Sequence, residues 1–186
     1  MMRPAAALLA AAVTAVPIAL GAQALNLPPR KAGLWEVTTV IERQKATETP
    51  PAEKSRASPP ISAQMCLDAA TDRELMDYTL KFTEGTCRSL TSKREGKSIV
   101  IDADCTFGGK VTKSRTVITG DFQSAYTMRT EGIMEGGSKG PQAMLTTQTA
   151  SWKSSECPNM KPGDITLFGG VKVNINQLKA LSGLIR

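Results

Sequence analysis

Four cysteines, Cys66, Cys87, Cys105 and Cys157, carry most of this chain's reactive chemistry, and no histidine accompanies them. Four thiols can hold a metal or pair as two disulfides. Zinc is disfavoured, because no C-x-x-C spacing occurs and no imidazole can complete a ligand set. Copper would need Met65 and Cys66 to meet Cys157 and Met160 with both thiols reduced. An N-terminal export leader argues for an oxidising compartment instead, where two disulfides and no metal are expected. Of the three pairings, a hairpin folded about Gly96 favours Cys87 with Cys105, since directly opposed residues of an antiparallel pair reach disulfide distance. Cys66 then takes Cys157.

The absence of histidine also removes the commonest general base and the usual serine and cysteine triads, so no catalytic residue is assigned. Asp102 and Asp104 share a strand face and could work as an acid–base pair, but that face alternates with the core and reads as solvated. Gly136 to Gly140 lacks the strand-before, helix-after setting of a phosphate loop. No cofactor is expected. A ligand site is drawn from a second hairpin, turned at Gly120-Asp121, in which Lys113 falls opposite Met128 and Arg115 opposite Tyr126. Two cations beside apolar and aromatic groups would receive an apolar or anionic amphiphile. Alternatively they are surface cations with their stems laid on the sheet.

The elements that would position these groups follow from periodicity. Met1 to Ala24 reads as a signal peptide: Arg3, an alanine-rich apolar run and the small-residue site Ala22-Gln23-Ala24, with cleavage expected after Ala24. The mature chain, 25–186, then forms one domain in the periplasm, with no later segment long and apolar enough to span a membrane. It carries 22 basic and 17 acidic residues, scattered rather than clustered, and aromatics are only 4%, so nucleic acid is not an expected partner.

Trp35, Val37, Thr39 and Ile41 alternate in a first strand, Gly33 to Arg43. Residues 46–60 hold four prolines and no large apolar side chain, which reads as a flexible insertion. Ile61 to Leu67 is extended, and Asp68 to Leu80 has helical spacing with a capping box at Thr71 to Glu74. Hairpins Thr86 to Cys105 and Lys110 to Glu131, a glycine-rich loop Gly132 to Pro141 and a strand Ala143 to Trp152 follow. Asn174 to Ile185 can form a short C-terminal helix. The expected fold is mainly β, an antiparallel meander making a curved sheet or small barrel, with one short helix after Cys66.

Gly33, Leu34, Trp35 and Glu36 soon after the leader, Cys66-Leu67 before an acidic helix, and Trp152, Cys157, Pro158, Pro162, Gly163 and Asp164 near the end occur in a definite order. In that order they resemble an exported proteobacterial family catalogued as domain of unknown function 3617. The resemblance implies an exported, cysteine-bridged, antiparallel domain. It carries no activity, substrate or catalytic residue, and the proline-rich insertion departs from its compact pattern. A non-catalytic role is therefore expected, binding an envelope amphiphile or, alternatively, serving as a periplasmic protein-interaction or inhibitor module.

Overall fold

A computed structural model describes residues 27–45, 56–138 and 140–177. The expected leader and cleavage site, most of the 46–60 insertion and the part of the expected C-terminal helix after residue 177 lie outside the described residues. Ten strands form one antiparallel sheet: β1 Gly33–Lys45, β2 Arg56–Ala57, β3 Ile61–Leu67, β4 Cys87–Glu95, β5 Ser98–Phe107, β6 Lys110–Gly120, β7 Ala125–Glu135, β8 Gln142–Ser154, β9 Asp164–Thr166 and β10 Lys172–Asn174. Their spatial order is β10-β9-β3-β1-β8-β7-β6-β5-β4, with β2 on the side of β1. β10 and β4 end that path unpaired to each other, so of the two expected forms the sheet is the open one and not a closed barrel. One helix, α1 Ala69–Thr86, connects β3 to β4.

Alternation sends Trp35, Val37, Met65, Ile99, Ile101, Ile118, Tyr126 and Ala150 to one face, where they form the core with Phe122 and Leu67. Leu75 of α1 packs against that cluster. The helix starts one turn earlier than the sequence motif placed it. Asp68 is its cap: the Asp68 carboxylate accepts from the Thr71 N–H at 2.8 Å, and the Thr71 hydroxyl accepts from the Asp68 N–H at 2.9 Å. It also runs past Leu80 to Thr86, where the Cys87 N–H closes the last turn on the Thr83 carbonyl.

Both disulfides form as expected, Cys66–Cys157 across 91 residues and Cys87–Cys105 across 18. The second is reached by an indirect register. The β4–β5 turn pairs Glu95 with Ser98 and Leu90 with Ala103, a register that by itself would set Cys87 against Thr106. An irregularity between Cys87 and Ser89 absorbs one residue and restores the pairing with Cys105.

The β6–β7 hairpin corrects the sequence reading more deeply. Its connection is the four residues Asp121 to Ser124, not a two-residue turn at Gly120-Asp121. The Asp121 carboxylate accepts from the backbone N–H groups of Gln123 at 2.8 Å and Ser124 at 2.7 Å and from the Ser124 hydroxyl. Phe122 adopts φ 59° and turns inward, stacking on Tyr126 with centroids 4.8 Å apart. Lys113 therefore pairs with Ile133, Arg115 with Glu131, and Met128 with Ile118. The register changes by an odd number of residues, which moves Lys113 and Arg115 to the face opposite Tyr126 and Met128.

Two smaller differences concern loops. Arg56 and Ala57, inside the proline-rich insertion, pair with β1. β7 continues through Glu135 into the segment expected to be a glycine loop, because Gly132 to Glu135 still alternate between the faces opposite β6 and β8.

Removing Cys66–Cys157 by a double alanine substitution is expected to cost about 4 to 5 kcal/mol, and removing Cys87–Cys105 about 3, since the longer loop loses more entropy on cross-linking. Denaturant midpoints of the two double variants, compared at unchanged m-values, check that order.

Candidate functional site

The motif residues gather at the end of the sheet where the chain enters. Arg30 is buried against α1: its Nε donates to Asp72 Oδ1 at 2.6 Å and its backbone N–H to Oδ2 at 3.0 Å, with only 10% and 8% of the two side chains exposed. Trp35, fully buried, donates its indole N–H to the Lys31 carbonyl at 2.7 Å, and Trp152 donates its own to the next carbonyl, Ala32, at 2.9 Å. Lys31 Nζ lies 3.6 Å from the centre of the Trp152 ring. Gly33 sits between them at φ 124°, and a β-carbon there would stand 2.1 Å from the Ser154 carbonyl oxygen. No side chain fits there. Leu34 is half-buried, and Glu36 pairs with Lys153 at 3.2 Å.

The second group of motif residues closes the same end. After Cys157 and the exposed Pro158, Gly163 donates its N–H to the Cys66 carbonyl at 2.8 Å and accepts from Ile175 at 3.0 Å. A β-carbon on Gly163 would meet Ile175 and Thr71. The Asp164 carboxylate accepts from Asn174 Nδ2 at 2.8 Å and from the Lys161 N–H at 2.8 Å, while the Pro162 carbonyl accepts from Asn174 at 3.4 Å. Every polar atom named here is used to hold backbone in place. These residues build the fold.

The opposite face of the sheet is different. An open groove of about 990 Å³ lies over β5, β6, β7 and β8 and reaches Glu42 of β1. Two cross-strand rows floor it. One runs Thr91, Asp102, Arg115, Glu131, Leu145, Glu42, and the next runs Ser89, Asp104, Lys113, Ile133, Ala143. Arg115 is 3.2 Å from Asp102 and 3.7 Å from Glu95, Arg88 pairs with Asp104, and Arg129 pairs with Glu131. Lys113 makes no ion pair among the described residues, because the carboxylate opposite it, Asp104, is held by Arg88. Ile133, beside it, is 46% exposed.

Lys113 and Arg115 line this open groove, and Tyr126 and Met128, which the sequence reading placed on the same face with them, are not part of it. Tyr126 is in the core, 3.4 Å from an Arg30 guanidinium nitrogen, and Met128 packs on the core from the same face. Ile133, Ala143 and Leu145 are the apolar side chains that share the outer face with Lys113 and Arg115; Ala103 and Met144 also line the groove. The alternation of Arg129, Glu131, Ile133 and Glu135 carried that signal; the assumed two-residue turn hid it. Asp102 and Asp104 are tied to Arg115 and Arg88, and Met65-Cys66 meets Cys157 through a disulfide, which leaves no thiol for copper. No cluster of metal-ligating side chains occurs among the described residues.

The sequence matches the family described as "Protein of unknown function (DUF3617)" over residues 30–157. The matched span opens on Arg30 and ends on Cys157, the first and last residues of the two ties described above. No curated protein and no solved structure matches the chain.

Asp72→Ala would strand the Arg30 guanidinium in a nearly dry site and is expected to cost about 3 to 5 kcal/mol, read as a shift in the denaturant midpoint. A pH dependence follows from three carboxylates held below their ordinary range. Asp121 is lowered by the N–H groups of Ser124 and Gln123, Asp68 by Thr71, and Asp164 by Asn174 and the Lys161 N–H. Each contributes stability that is complete above the unfolded carboxylate value of about 4 and is lost as pH falls through the lower folded value. Melting temperature should fall on acidification below about pH 4, and Asp121→Asn, which cannot titrate, should flatten that fall.

Proposed function

Because the chain belongs to this family of proteins of unknown function, which supplies no activity, we propose from its own residues that it is an exported, non-catalytic binding domain whose ligand lies in the outer groove. The observation that carries the proposal is the juxtaposition of Lys113, which makes no ion pair among the described residues, with exposed Ile133 and half-buried Ala143 and Leu145 in a concavity of about 990 Å³. A cation next to apolar carbon is complementary to an amphiphile with an anionic head. The exposed Arg115 and Arg129 pairs contribute little to stability and can re-pair with such a head at small cost.

Export is supported by the leader pattern before Leu25 and by two disulfides that leave no free cysteine among the described residues. A non-catalytic role is supported by the lack of histidine and by the engagement of both groove aspartates with arginines. The groove is a trough and not an enclosed chamber, and that openness favours a second reading, an extended segment of an envelope protein laid along the same surface.

Purification from its native envelope followed by native mass spectrometry tests both. An anionic amphiphile at near-stoichiometric occupancy is expected on a chain beginning at Leu25, and Lys113→Glu or Ile133→Asp should reduce that occupancy about tenfold or more without lowering the melting temperature, as both side chains are on the outer face. Retention of the ligand by both variants would contradict the groove, and a bound polypeptide in place of the amphiphile would select the second reading.

A further inference from the structure

One apolar feature stands apart from both the core and the groove. Phe82 in the last turns of α1 and Phe107 at the end of β5 stack with centroids 5.5 Å apart and planes 16° from parallel. They remain 52% and 40% exposed. The β5–β6 turn beside them is Gly108 and Gly109, both at positive φ, and a β-carbon on either would touch nothing within 4 Å; the same holds at Gly85, just before the helix ends. The rings therefore sit on a protruding end of the molecule, not in a recess.

Charge decides between occupants. Lys110 is directly opposite Phe107 in the strand register and Lys81 precedes Phe82; both are exposed and neither makes an ion pair among the described residues. Arg88 is nearby but pairs with Asp104, and Glu84 is the exposed acid on the same helical turn. The chain from Leu25 onward carries 22 basic and 17 acidic residues, a net +5. A protruding pair of phenyl rings flanked by unpaired lysines has no concave shape for a folded partner to fill, but it matches the boundary between anionic head groups and acyl chains. We infer that this end, Phe82, Phe107, Lys81 and Lys110, docks the domain reversibly on an anionic bilayer. Two rings and two cations are a weak anchor, so binding is salt-sensitive and exchanges readily.

Co-sedimentation of the chain beginning at Leu25 with vesicles tests this, using phosphatidylglycerol with phosphatidylethanolamine in one arm and phosphatidylcholine in the other. The protein should pellet with the anionic vesicles and not with the zwitterionic ones. The Phe82→Ser, Phe107→Ser double variant should lose about tenfold in bound fraction. Lys81→Glu with Lys110→Glu leaves the stacked rings in place and should lose binding equally, which guards against misfolding of the first variant. Lys97→Glu, at the Gly96 turn and so at the other end of β5 from Phe107, should bind vesicles as the parent does. No binding of the parent to anionic vesicles, binding indifferent to vesicle charge, or full binding by both double variants would overturn the inference.

Discussion

The cystine Cys66–Cys157 is the tie on which the rest of the molecule depends. It joins the end of β3, where α1 begins, to the segment leaving β8, and the Gly163 N–H then lands on the Cys66 carbonyl. Gly163 in turn rests against Thr71 of α1 and against Ile175, which is almost fully buried. Residues separated by most of the chain are thereby collected into one junction. The strands beyond it need that help, since β9 contacts β3 through only Gln64 with Thr166 and Met65 with Ile165. Such a short ladder cannot hold a hairpin in place alone.

A second constraint, the period of two along each strand, divides the work between the faces. The inner face receives the aromatic and branched residues and is finished by Arg30 and Asp72, Trp35 and Trp152, and the capped start of α1. The outer face from β4 to β8 carries the ion pairs of Arg88, Arg115 and Arg129, Lys113 and Glu135 without an ion pair among the described residues, and a strip of small and branched apolar groups. Trp35 and Trp152 of the motif pack on the inner face, Glu36 pairs with Lys153 away from it, and the groove lies on the outer face. The buried part of the pattern specifies a scaffold.

Much of this scaffold was legible in the residues themselves. Alternation located β1, β3, β5, β6 and β8, and the hairpin at Gly96 brought Cys87 to Cys105, although the bulge beside Arg88 rather than a straight ladder accomplishes it. What could not be read was turn length, because it is set by tertiary burial. Phe122 looks like the first residue of a strand, yet stacking on Tyr126 in the core draws it into the loop, with Asp121 supplying the acceptors that a longer turn requires. That single change inverted which side chains share a face with Lys113 and Arg115. The end of α1 was missed for a similar reason: Phe82 finds its contact in Phe107, 25 positions away in sequence and invisible to local spacing. Whether the sheet closes was also outside the reach of periodicity, which is the same in an open sheet and a barrel.

The junction and the β4–β5 register both require covalent sulfur in one particular pairing. Peptide mapping without reductant, on chain isolated from its native cells with free thiols blocked at lysis, measures this directly. Cross-linked peptides joining Cys66 to Cys157 and Cys87 to Cys105, with no blocked cysteine, are the result this architecture requires. Four blocked thiols, or Cys66 linked to Cys87 or Cys105, would contradict the junction, the register of β4 with β5, and the compartment together.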